Sequence, residues 1–188
     1  MALLGLRNLA PRLAVAALAV AAVHANAQES VTDEYHVKAA FLYNFAKFVE
    51  WPPGLPGAPS SIAICVLGQN PFGGMLEDTV SGKNVDAKTF VVRRVSDGKA
   101  AALCQILFVS SSERMRLAAL LGELRTAHVL TVGESDGFIE EGGIVNLKLD
   151  SGKIQIQINI NAADQAGLRI SSKLLSLAQI IRKPVPAK

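Results

Sequence analysis

The polar and apolar positions of this chain divide into a helical opening, a middle of short apolar runs, and an alternating end. From Thr32 to Trp51, Val37, Phe41, Phe45 and Phe48 recur at steps of four, four and three and mark one face of a helix, with Asp33 and Glu34 near its start. Pro52 and Pro53 end it, since neither can continue the hydrogen-bond ladder. Tyr35, Leu42 and Val49 form a second apolar line, so the helix is expected to be buried twice, or buried once and used at an interface. After the loop from Gly54 to Ser61, the run Ile62 to Leu67 reads as an interior strand. Asn70 and Pro71 then suit the opening of a helix over 72–80. Further strands are predicted over 88–95, 106–109 and 128–132, with a short helical piece over 97–103. Ser110 and Glu113 have the spacing of a capping box, and Leu117, Leu120, Leu121 and Leu124 follow with helical periodicity.

The pattern changes after a short helical turn at Asp136 to Ile139. Segments 144–149 and 153–160 are predicted to form a β-hairpin across Asp150, Ser151 and Gly152. In the second strand Ile154, Ile156, Ile158 and Ile160 point inward. Lys153, Gln155, Gln157 and Asn159 point outward, onto a face that is wet or covered by a partner. A final helix is expected from Ser171 to Arg182, with Leu174, Leu175, Ala178 and Ile181 on one side, before the tail frays. Repeated strand-to-helix units argue for an α/β fold: a single domain with a mixed, mostly parallel sheet flanked by helices, an antiparallel C-terminal hairpin and a terminal helix.

The first 27 residues change the picture of where this domain works. Arg7 and Arg12 are their only charges, and an apolar run from Leu13 to Val23 ends at Ala25-Asn26-Ala27. That is the layout of an export signal, with cleavage expected after Ala27 and the alternative an uncleaved anchor. A mature domain over 28–188, ordered from about 32 to 183, would then lie in the periplasm as a soluble protein. Of 19 basic residues, the loss of Arg7 and Arg12 leaves 17 against 16 acidic ones, so nucleic acid and anionic membrane surfaces are not expected as partners. An exported chain with an even pair, Cys65 and Cys104, suggests a disulfide; the alternative is two buried free thiols.

The search for chemistry returns little. The segment Gly68 to Gly74 follows a strand as a phosphate loop would, but Gly74 and Met75 stand where Lys and Ser or Thr are required. His36 and His128 lack metal-ligand spacing to any other His or Cys. Ser110 to Ser112 lack the Gly-x-Ser-x-Gly setting of a nucleophile. Adjacent carboxylates at Asp33-Glu34 and Glu140-Glu141 do not face each other on a helix. No catalytic residue, cofactor or metal is expected. Arg169, just before the final helix, could clamp an anion there, the alternative being a solvent-exposed arginine or a contact to a carbonyl.

Four segments together resemble the YfiR family of periplasmic regulators: Glu34 to Pro52, Ile62 to Gly73, the strand and helix start QILFVSSSER, and Ile160 to Ile181. The resemblance implies a non-catalytic protein that binds the periplasmic domain of an inner-membrane diguanylate cyclase and keeps cyclic di-GMP low. It also implies sequestration by an outer-membrane lipoprotein, and a homodimer is expected. Cys65 and Cys104 match the family's disulfide pair, and Arg169 and Ser171 lie in the motif that looks like a small-ligand pocket. Some relatives carry two more cysteines near the stretch Ile139 to Asn146, which has none here. Phe41, Phe45, Phe48 and Trp51 are the candidate partner-binding residues. The other readings are a small periplasmic solute-binding module for an anionic or aromatic ligand, and an enzyme using His36 or His128.

Overall fold

The computed structural model describes residues 33–53 and 60–184. The expected export signal, the loop 54–59 and the last four residues lie outside the described residues.

Helix α1 spans 33–48 and passes directly into a short strand, β1 (Val49–Glu50). The helix therefore stops before the prolines: Val49 pairs with Ile170 and Glu50 with Arg169, so the chain is already extended when Pro52 arrives. Its buried stripe is also rotated from the predicted aromatic line. Ala39, Leu42, Phe45, Ala46 and Val49 are fully buried, whereas Val37 is exposed and Phe41 and Phe48 are half-buried.

The elements that follow are β2 (Ser61–Leu67), α2 (Met75–Val80), β3 (Asn84–Val85), β4 (Lys88–Val95), α3 (Gly98–Ala101) and β5 (Ile106–Val109). A 3-10 turn over Ser111–Arg116 leads into α4 (Leu117–Leu124), then β6 (Leu130–Gly133), β7 (Val145–Asp150) and β8 (Lys153–Asn159). The chain closes with α5 (Ile160–Gln165), β9 (Arg169–Ile170), α6 (Ser172–Leu175) and β10 (Gln179–Ile181).

Eight strands form one sheet in the order β10-β8-β7-β6-β5-β2-β4-β3, while β1 and β9 pair apart from it. Neighbours from β4 through β2, β5 and β6 to β7 are parallel; the β7–β8 and β3–β4 pairs are antiparallel, and β10 runs parallel to β8. From His36 onward this is one domain of the expected α/β class. On one sheet face Ala63, Cys65, Leu67, Leu107 and Val109 pack against α3 and the leucines of α4. On the other, Phe72 meets Phe108 edge-on at 4.8 Å and Tyr43 of α1 meets Phe90 of β4 at 5.4 Å. Cys65 and Cys104 are joined by a disulfide with Cα atoms 6.1 Å apart, tying β2 to the segment that enters β5.

Several local expectations change. Asn70 caps a turn instead of a helix: its side chain accepts from Phe72 N–H and donates to Gly73 O, each at 3.0 Å, which buries Phe72 and delays α2 to Met75. The capping box is half made. Ser110 Oγ accepts from Ser112 N–H, but Ser110 N–H is bound to Leu67 O and Glu113 pairs with Arg116. Residues 136–142 are turns without a helix. His128 lies outside β6, in the left-handed region at φ 58°.

The largest revision is at the C-terminus. Strand β8 ends at Asn159, whose Oδ1 accepts from Ala162 N–H and caps α5, so this supposedly outward residue is fully buried. The expected helix over 171–182 is one turn, α6; the rest becomes β10, which covers the edge of β8 through Gln179, Ile180 and Ile181 opposite Gln157, Ile158 and Asn159. Pairing with an otherwise open strand edge outweighs the local helical periodicity.

Candidate functional site

The predicted residues come from two ends of the chain, and the β1–β9 pair draws them together. Strand β1 continues α1, and β9 leads into α6. Across the pair, Ser171 N–H donates to Phe48 O at 2.8 Å, the Ser171 hydroxyl oxygen accepts from Leu174 N–H at 3.3 Å to cap α6, and Lys173 Nζ stands 5.7 Å from the Phe48 ring centre. Glu50 and Arg169 are opposite each other in the register, both exposed. The Phe48 end of the aromatic line and the Arg169 motif thus adjoin.

Within that surface the candidates differ in kind. Phe45 is fully buried and stacks on Phe41 with ring centres 6.2 Å apart, so its work is to seat α1. Phe41, Phe48 and Trp51 are half-buried, each with part of its ring open. Lys173 lies beside the Phe48 ring, and exposed Arg169 stands opposite exposed Glu50 in the strand pair. Lys47 and Lys83 also lie over the Tyr43 ring, at 4.2 and 4.6 Å. A part-open ring beside a cation, with charges of both signs next to it, is a combination common at protein–protein contacts.

His128 Nδ1 donates to Ala166 O at 2.7 Å, which ties the entry of β6 to α5. His36 is exposed near the start of α1, and among the described residues no group of three or more His, Cys, Asp or Glu could hold a metal ion. Among the described residues no helix is long and apolar enough to cross a membrane. A small, partly open cleft between α4 and α5, lined by Arg125, Thr131 and Ile144, holds about 10 Å³, room for roughly one water molecule. A larger open groove of about 320 Å³ runs beside β4 past Glu77, Lys83 and Phe90, and none of the predicted site residues lines it.

Two functional-looking residues escape the sequence reading. Lys38 on α1 and Glu134, just beyond β6, form a buried ion pair at 2.7 Å. The available signal was a lysine standing on the stripe Lys38, Leu42, Phe45, Val49.

The YfiR/HmsC-like family model matches residues 35–179. No curated protein matches the chain. Among solved structures, a conserved domain protein from Vibrio cholerae O1 biovar El Tor is similar, with a TM-score of 0.50 at 13% identity over 65% of this chain and 55% of that one. An ABC domain in complex with L-Trp from Streptococcus pneumonia is similar with a TM-score of 0.52 at 12% identity, over 76% of this chain and 60% of that one. The chain thus spans less than two thirds of either, and at such identities the likeness is one of fold.

Proposed function

The chain belongs to the YfiR/HmsC-like family, and from that premise we propose that it binds the periplasmic domain of an inner-membrane diguanylate cyclase and represses it without catalysis. At the level of the family the role is that of a periplasmic regulator of diguanylate cyclase pathways. The contact surface in this reading is the ridge of Phe41, Phe48 and Trp51, with Lys47, Arg169 and Lys173 around it. Phe45 holds the helix in place beneath. The observation that supports this reading is the β1–β9 pair, because it sets Phe48 at the end of α1 beside Lys173 of the C-terminal segment. Assembly as a homodimer and release by an outer-membrane lipoprotein belong to the same reading.

A solute-binding module finds less support. The Ser171 hydroxyl oxygen is engaged in capping α6 and Arg169 lies on open surface. Capture of the purified periplasmic domain of the cyclase on immobilised protein tests the proposal. Phe48→Ala and Arg169→Glu are each expected to weaken capture by 10-fold or more, on the order of the 1.4 kcal/mol that a tenfold change represents, while cyclic di-GMP rises in cells. Undiminished capture by both variants moves the surface elsewhere; no capture by the wild-type protein overturns the function.

A further inference from the structure

The sheet reverses its winding between β2 and β5: the chain passes from β2 to β4 on one side, then returns over β2 to β5 and onward to β6 and β7. In doubly wound sheets the loops leaving two such strands part, and ligands bind in the crevice outside their carboxyl ends. Here that crevice is closed by the chain itself. A Cβ on Gly68 would stand 2.5 Å from Ser112 Oγ, and Gln69 N–H donates to the same oxygen at 3.0 Å. One strand further on, Ser111 N–H donates to Glu134 Oε1 at 3.3 Å. The other carboxylate oxygen accepts from Lys38 Nζ at 2.7 Å, with the two side chains only 3% and 6% exposed.

An ion pair buried so deeply recovers little of its desolvation cost, and apolar residues of similar volume often serve stability as well or better. What the charges add here is a specific geometry: an ammonium from α1 and a backbone N–H from the loop after β5 converge on one carboxylate. We propose that Lys38 Nζ and Ser111 N–H form a carboxylate seat at the carboxyl end of the sheet, and that the protein fills it with its own Glu134. Helix α1 is then latched to the sheet by an internal ligand. This inference needs no partner protein and stands or falls separately from the proposed function.

Thermal unfolding of the full chain tests it. Glu134→Ala removes a fragment with the shape of acetate and takes from the buried Lys38 cation its carboxylate at 2.7 Å, so the melting temperature in chloride is expected to fall by roughly 10 °C. Acetate at equal ionic strength should restore most of that loss and leave the wild-type protein unchanged. The double variant Lys38→Met/Glu134→Ala should melt above Glu134→Ala and ignore acetate. The seat is overturned if Glu134→Ala melts with the wild type, if acetate acts no better than chloride or stabilises the wild type equally, or if the double variant still responds. Should Glu134→Ala fail to fold in chloride, its refolded yield becomes the readout: recovery in acetate supports the seat, and none in either salt overturns it.

Discussion

The two ends of the eight-stranded sheet are built by different means. At β2, β5 and β6 the sheet is covered on both faces, each strand a nearly continuous buried run beside the more open β4, and the Cys65–Cys104 disulfide binds strand to connection. From β7 to β10 one face is polar, carrying an amide chain in which Asn146 donates to Gln157 at 3.3 Å and Gln157 to Gln179 at 3.1 Å. The connections there are brief elements held by caps at Asn159 and Ser171. Within the sheet the two ends are joined by a short β6–β7 ladder, Val132 with Val145 and Gly133 with Asn146. The first end can be stable on its own packing. The chain leaving the second end runs through α5 into β9, which pairs with the end of α1 apart from the sheet and brings Arg169 and Lys173 to the proposed surface.

The largest effect should come from cutting the brace. Replacing Cys65 and Cys104 by Ala opens a loop with a sequence separation of 39, worth about 4 kcal/mol in the chain-entropy model, or roughly 10 °C of melting temperature. Hydrogen exchange would then sharpen the comparison. If the sheet unfolds as one unit, amide protection falls equally in β5 and β8; a loss confined to β2, β4 and β5 would make the two ends separate cooperative units.

Next comes the helix shared by both ends. Phe45→Ala empties a fully buried site and should cost about 3 kcal/mol, at the low end for such a truncation because the stacked Phe41 ring can settle into the space. Phe48→Ala, at a half-buried ring, should cost about 1 kcal/mol and register chiefly in partner capture. Equal destabilisation by the two, measured by urea unfolding, would erase the distinction between seat and surface.

The same contrast governs what could be read from the sequence. Strand β5 is found at its predicted bounds, and β2 within one residue, because an apolar run between polar punctuation has few ways to be satisfied except inside a sheet. The hairpin was legible because alternation and Gly152 agree: Ser151 and Gly152 both take positive φ, 50° and 77°, as a two-residue turn of this hand requires. The C-terminal segment was not. Leu174, Leu175, Ala178 and Ile181 fit a helix, and only the open edge of β8 turns the last of them into a strand. The proposed surface was legible as two lists, not as one place, because Val49 opposite Ile170 is a pairing with no local signal. Lys38 and Glu134, 96 residues apart, were missed for the same reason.

Turn chemistry offers a smaller perturbation at the far end. Gly152→Ala asks an L side chain to hold φ 77° and should cost about 1 kcal/mol. Its Cβ would meet open space, so strain alone acts. If the β7–β8 end is the looser one, amide exchange in that hairpin should quicken while β2 and β5 stay protected; uniform quickening would argue for a single unit.

The smallest effect is set by acid and has an expression at each end. Asp97 Oδ1 accepts from Ala100 N–H at 2.8 Å to cap α3, and this bond chiefly, with help from Ser96, holds the carboxyl below its ordinary value of 3.8. Glu140 is likewise held below its ordinary 4.5, first by its hydrogen bond from Lys183. A carboxyl whose folded value is lowered stabilises the fold fully above its unfolded value, and that contribution vanishes as pH falls through the folded one. Both contributions should therefore be complete at neutral pH and fade below about pH 4. The Glu140–Lys183 pair is half-exposed and weak. Asp97 has the better hydrogen bond, so Asp97→Asn, which can keep the cap without titrating, should flatten the acid limb of the unfolding profile more than Glu140→Gln does. An acid limb unchanged by Asp97→Asn would mean that the cap at the braced end adds nothing that pH can remove.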